Sequence, residues 1–168
     1  MNFKNLKKRG INRFTIGTYL INLFFHYVLR INSRFPYVIH FTNKVTSPLN
    51  IKLYGKGHLT EKCLLLNGGV YLGGANGIFI HKSCLIANSV KIISGNHNFK
   101  SYEAPSLKEN PIRIEEGCWI GAGAIILPGV HLKKSTIVGA GSVVTKSFSE
   151  NNITIAGTPA KKIKVRNE

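Results

Sequence analysis

From Ile114 onward the chain returns to an aliphatic residue at every sixth position, with Ile114, Ile120, Ile126, Leu132, Val138 and Val144 heading six successive hexads. The same register is set upstream by Ile80, Ile86 and Ile92. The fifth position of each hexad is mostly small or β-branched: Cys84, Val90, Cys118, Ala124, Val130, Thr136 and Ser142. A period of six matches neither a helix nor the alternation of a simple strand. It fits a short strand followed by a turn, with three such sides closing one coil of a triangular prism and equivalent residues stacking from coil to coil. The aliphatic residue then fills the interior, the small one fits beside it, and glycine eases the corners.

A different pattern precedes the repeat. Between Arg13 and Ile31, apolar Ile16, Leu20, Leu23, Phe24, Tyr27 and Ile31 recur at helical spacing, while Thr18, Asn22, His26 and Arg30 form the opposite stripe. The spacing predicts an amphipathic helix with its polar stripe, His26 included, in solvent. It carries too many polar residues for a span of about 20 apolar ones. Basic residues lie ahead of it in "KNLKKR", but no small-residue cleavage site follows Ile31. Two placements stay open: packed on its own protein or a sister subunit, or lying as a basic helix on an anionic membrane. Residues 1–59 are read as this helix and a lead-in, and residues 60–168 as the repeat domain.

Composition narrows the chemistry. A chain of 168 residues, 43% hydrophobic and 18% charged, can bury a core as one domain. Lys and Arg total 23 against 7 acids, all Glu, so any mechanism that needs an aspartate is excluded. The formal charge of +16 suits a polyanionic partner, whether nucleic acid, an anionic membrane or a phosphate-rich cofactor. No recognition motif or interleaved aromatic-basic platform supports nucleic acid. The cysteines Cys63, Cys84 and Cys118 are odd in number and widely spaced, which argues against a disulfide framework or structural zinc and for a reducing, cytoplasmic location. Cys84 and Cys118 fall in the small slot and read as core.

The register breaks once. Ile92 and Ile114 are 22 residues apart, not a multiple of six, so a loop over 94–111, "SGNHNFKSYEAPSLKENP", must leave the prism. Loops on rigid repeats commonly carry function, and His97 stands at the start of this one. On residues alone it is either a functional imidazole or a loop histidine making a local hydrogen bond. His81 and His131 sit singly on other hexads and read as exposed edge residues.

The stretches "GCWIGAGAIILPGV", "VGAGSVVTK" and "IAGTPAKKIK" resemble the hexapeptide-repeat acyltransferases, in particular the galactoside and maltose acetyltransferases and polysaccharide O-acetyltransferases, over roughly residues 60 to 166. The resemblance implies an all-β fold, a left-handed parallel β-helix, whose hand the period alone does not give. It implies an acetyl-CoA-dependent O-acetyltransferase acting on a sugar hydroxyl in surface polysaccharide assembly, with His97 as catalytic base. Without Asp, that imidazole would be oriented by a backbone carbonyl, Glu103 or Glu109. Asn67 matches an acceptor-contacting position, although a turn asparagine before two glycines reads as well. The cofactor groove would run near Trp119, Gly121, Ala122, Ala140, Ser142, Thr145 and Lys146, with a Gly121-Ala122 N–H for the oxyanion and Thr158, Lys161 and Lys164 at the phosphate tail. Trp119 should point outward, and a homotrimer with sites between prisms is implied. Serine or antibiotic O-acetylation and a non-catalytic scaffold are the alternatives. A zinc carbonic anhydrase of this fold would need His81, His97 and His131 as ligands; their spacing shows no acidic helper, and no metal is expected.

Overall fold

The computed structural model describes residues 15–98 and 108–166. Helix α1 (Ile16–Leu23) runs on into a wider helical turn over Phe24–Val28, followed by β1 (Lys44–Thr46), β2 (Ile51–Tyr54) and α2 (Leu59–Leu66). Short strands then follow the hexads: β3 (Tyr71–Gly73), β4 (Ile78–His81), β5 (Leu85–Ile86), β6 (Lys91–Ile93), β7 (Ile112–Ile114), β8 (Trp119–Ile120), β9 (Ile125–Ile126), β10 (His131–Leu132), β11 (Ile137–Val138), β12 (Val143–Val144), β13 (Ile153–Gly157) and β14 (Ala160–Val165). They form three sheets, the faces of a prism: face A is β1-β3-β6-β9-β12, face B is β2-β4-β7-β10 and face C is β5-β8-β11-β13-β14. All pairings are parallel except β13 with β14. From β3 to β12 the chain visits A, B and C in turn, which is the coil that a six-residue period demands.

The registers stack like on like. On face C, Ile86 faces Ile120, then Val138, then Ile155, and all four are buried. Filling this column with aliphatics contributes about 1.5–3 kcal/mol per side chain removed from water. The small slot is interior as well. The Cys84 thiol donates to Glu115 O at 3.1 Å and the Cys118 thiol to Lys133 O at 3.2 Å, tying corners of the coils. The neighbouring Cys118 thiol, and then burial, push the Cys84 thiol well above its ordinary range, so it is held as an inert core thiol.

Stacking begins ahead of residue 60. Lys44 of β1 pairs with Tyr71, and Ile51 of β2 with Ile78, so the lead-in supplies the first two sides of a coil. Ile51 and Leu53 point in while Lys52 and Tyr54 point out, an alternation too short to register as a repeat. In place of a third strand stands α2, which packs against β5 and buries Cys63, Leu64 and Leu65.

Helix α1 forms, but Asn22 and His26 of its polar stripe face inward. Asn22 is fully buried: its Nδ2 donates to Leu65 O at 2.9 Å and its Oδ1 accepts the Phe41 N–H at 3.0 Å. His26 is buried, not solvated, and burial lowers its pKa. Ile16, Tyr19 and Leu23 pack inward against Leu65, Val38 and Leu66, whereas Leu20, Phe24, Tyr27 and Ile31 are exposed. The buried Leu65 carbonyl needs a donor and the part-buried Phe41 N–H an acceptor, and one short amide supplies both. An apolar side chain cannot, and that requirement turns Asn22, with His26 one turn on, inward.

Candidate active site

The passage from face A to face B normally takes six residues between interior positions, as from Ile126 to Leu132, but the loop 94–111 replaces it between β6 and β7. Its root is fixed. The buried Ser94 hydroxyl donates to Gly73 O at 2.9 Å and accepts the Asn76 N–H at 3.0 Å, while Asn76 Nδ2 donates to Ser94 O at 2.8 Å. Asn96 Nδ2 donates to Glu109 Oε1 at 2.7 Å, joining the two ends of the loop. Ile112 N–H then bonds Gly77 O at 3.0 Å as the chain rejoins face B. His97 stands exposed just beyond this root. Glu109, one of the expected orienting groups, is engaged by Asn96, and among the described residues no group hydrogen-bonds the His97 ring. Glu103 lies outside the described residues.

Thr145 and Lys146 are exposed on the same A–B edge, two coils further along, after β12. The intervening coil is tied to them where the Leu127 N–H bonds Val144 O at 3.0 Å.

The other expected cofactor residues lie elsewhere. Trp119 on β8 points outward and is 48% exposed. Its register runs through Ile137 and Thr154 to Lys164 on β14, one column across face C. At roughly 4.8 Å per strand, the Lys164 backbone is about 14 Å from that of Trp119. Lys161 pairs with Ala156 in the same sheet. Ala122 and Ala140 are exposed on successive coils at the corner from C to A, bridged by Gly141 N–H to Ala122 O at 2.8 Å, and Thr158 is exposed in the turn between β13 and β14.

Two of the expected groove residues serve the coil itself. A Cβ on Gly121 would stand 2.6 Å from Ala140 N and 2.7 Å from Val138 O, so glycine is required by the approach of the next coil. The Gly121 N–H already bonds Val138 O at 2.9 Å and is taken up by the coil, which leaves Ala122 as the candidate of that pair. Ser142 does not line an outer groove: it is buried in the small slot and its hydroxyl accepts the Gly157 N–H at 3.1 Å. Its place in the hexad already pointed inward.

Asn67 ends α2, where its Nδ2 donates to Ile86 O at 2.6 Å at the C–A corner. His97, Thr145 and Lys146 therefore occupy the A–B edge, and Asn67, Trp119, Ala122, Ala140, Thr158, Lys161 and Lys164 occupy face C and its corner with A. In a triangular prism that edge is opposite face C. One chain does not bring the two groups together.

The remaining coil histidines are half-buried, not exposed. His81 Nδ1 lies 2.8 Å from Ser83 Oγ and its ring meets Tyr54 edge-on. His131 does have an acidic partner, Glu115 Oε1, 2.6 Å from its Nε2. Lys133 Nζ reaches the same oxygen at 3.3 Å, and the Lys134 N–H bonds Oε2 at 3.1 Å. Spacing hid this pair because its partners meet only when β7 and β10 stack. Among the described residues, no three His, Cys, Asp or Glu side chains converge as a metal site.

A chain of aliphatic-led hexads wound into a three-faced prism, with a histidine-bearing loop at one edge, defines a hexapeptide-repeat protein. The family model for bacterial transferase hexapeptide (six repeats) matches residues 111–146. The "Putative lipopolysaccharide biosynthesis O-acetyl transferase WbbJ" of Escherichia coli is 30% identical over 143 residues, covering 77% of this chain and 72% of that protein. A galactoside O-acetyltransferase of Lactococcus lactis is 32% identical over 108 residues, 55% of this chain and 52% of that one. A hexapeptide-repeat acetyltransferase of Vibrio cholerae, solved with acetyl-coenzyme A, superposes with a TM-score of 0.56 at 22% identity, covering 77% of this chain and 64% of that one. The chain spans about half the length of several curated relatives, 45% and 46% for matches in Schizosaccharomyces pombe and Dictyostelium discoideum. The chain belongs to the hexapeptide-repeat transferase family, and its prism is the left-handed parallel β-helix of that family.

Proposed function

We propose that this protein transfers an acetyl group from acetyl-coenzyme A to a sugar hydroxyl, with His97 as general base, in the assembly of a surface polysaccharide. The observation that carries the reading is the exposed imidazole of His97 beside a hydrogen-bonded loop root on the edge of a hexapeptide-repeat prism. Supporting it are the names of the relatives, an O-acetyltransferase of lipopolysaccharide biosynthesis and a galactoside O-acetyltransferase. A neighbour in fold was solved with acetyl-coenzyme A.

An imidazole suits the task because its ordinary pKa near 6.5 leaves it largely unprotonated at neutral pH. His97 takes the acceptor hydroxyl proton as the oxygen attacks the thioester carbonyl carbon. The carbonyl oxygen gains charge and is met by the Ala122 N–H. The intermediate collapses, the C–S bond breaks and the proton passes from His97 to the departing thiolate. No acyl-enzyme is needed. The pantetheine arm runs past Trp119 and the small Ala122 and Ala140, and Thr158, Lys161 and Lys164 meet the cofactor phosphates. Since His97 and face C point in opposite directions on one prism, the site is completed between subunits of a homotrimer. The A–B edge of one subunit, with Thr145 and Lys146, then faces the face C groove of the next, where Asn67 contacts the acceptor. Use of acetyl-coenzyme A sets the reaction in the cytoplasm.

The test is thiol release from acetyl-coenzyme A against a panel of sugars and glycan oligomers. His97→Ala should lower the acceptor-dependent rate by 10²-fold or more while coenzyme A affinity is kept. Equal rates in both proteins would remove His97 from the mechanism. No acceptor-dependent release from the parent protein would overturn the enzymatic reading.

A further inference from the structure

The outer face of α1 and the turn that extends it is apolar along its length. Leu20, Ile21, Phe24, Tyr27 and Val28 are each at least half exposed, up to 68% for Tyr27, and Ile31 continues the stripe at 39%. They recur at three- and four-residue steps, so they form one continuous stripe and not scattered surface residues. This facing is held. Rotating the helix to bury the stripe would break both bonds of Asn22 and leave Leu65 O and the Phe41 N–H without the amide that satisfies them. The stacked rings of Phe25 and Phe41, 4.5 Å apart, brace the same orientation.

Charge selects what covers the stripe. The sequence ahead of the helix carries Lys4, Lys7, Lys8, Arg9 and Arg13, Arg30 and Arg34 follow it, and no acid precedes Glu61. Two copies meeting through this face would set these cations against one another, in a chain already at +16. A surface of anionic lipid complements them. The helical stretch from Ile16 to Val28 is about 20 Å long at 1.5 Å per residue, short of a bilayer's roughly 30 Å core. Among the described residues no helix is long and apolar enough to cross a membrane. An apolar stripe with aromatic residues and flanking cations is the pattern of a helix lying in the interface, its apolar side in the acyl boundary and its cations at the headgroups.

We propose that the outer face of α1, through Leu20, Phe24, Tyr27, Val28 and Ile31, docks this protein on an anionic phospholipid bilayer. The proposal does not depend on the acceptor or on His97.

The test is flotation of the full chain with vesicles of phosphatidylcholine alone or with 30% phosphatidylglycerol, comparing the parent with the double variant Phe24→Glu, Val28→Glu. Both positions are exposed, and thermal melting confirms that the variant is folded. The parent should float with the anionic vesicles, at least 10-fold less with neutral ones and less at high salt, and the variant should lose at least 10-fold of its binding. As a second readout, Phe24→Trp should show emission quenched by brominated phosphatidylglycerol. Failure of the parent to float overturns the proposal. So does equal flotation of the variant, which would leave charge alone as the attraction. A change in the variant's oligomeric size with no change in flotation would assign the stripe to a sister subunit instead.

Discussion

Glu115 shows how much a single side chain can carry in this fold. Partial burial works against its charge, yet hydrogen bonds from Lys133, His131 and the Lys134 N–H prevail and hold its carboxyl below the ordinary 4.5. A carboxyl depressed in the folded state stabilises above its unfolded pKa, and that stability is lost as pH falls through the folded value. Parent and Glu115→Gln should therefore differ in melting temperature near neutral pH, the parent higher, and converge below about pH 4.5. The side chain is about a third exposed, so solvent screening keeps the difference to about 1 kcal/mol or less. A gap that widens in acid would contradict the assignment. The residues of the loop root behave alike: Ser94 is an ordinary serine in sequence, and only the nearness of Gly73 and Asn76 gives its hydroxyl and backbone four bonds.

At the scale of elements, coil meets coil through backbone as well as side chain. Gly121 has backbone neighbours closer than 3.0 Å to where a Cβ would sit. Gly121→Ala should cost about 1–3 kcal/mol, the range of overpacking in a close-packed site, read as a lower melting temperature. Gly123, where a Cβ would meet nothing within 4 Å but φ is +67°, should respond only through backbone strain and serves as the comparison. Equal melting of parent and Gly121→Ala would mean that the corner can open. The coil strands were legible because each repeats the same packing problem, an aliphatic residue facing an aliphatic residue. The first coil was not, since β1 and β2 are too few to show a period and α2 replaces its third side. The orientation of α1 differs from its amphipathic pattern for another reason: the buried Leu65 carbonyl and the Phe41 N–H both bond Asn22 and draw it inward.

For the whole molecule, the proposed site requires more than one chain. If His97 acts with face C of a neighbour, His97→Ala and Trp119→Ala proteins, each impaired alone, should regain activity when unfolded together and refolded as a mixture. Random assortment around a closed ring would restore roughly a quarter of the sites. Absence of recovery, with mixed assembly verified by a tag on one variant, would rule out a shared site.

The sequence by itself determined the prism, its register, the break at 94–111 and the interior place of Cys84 and Cys118, because these follow from a period in hydrophobicity that local spacing records. It also placed His97 near the start of that break. Only the tertiary structure decided which candidates share an edge, that His131 meets Glu115, that Gly157 bonds the Ser142 hydroxyl, and that α1 shows an apolar side to the outside. Each of these depends on which distant segments stack beside one another and on which buried polar groups then need a partner, and neither is written in the spacing along one chain.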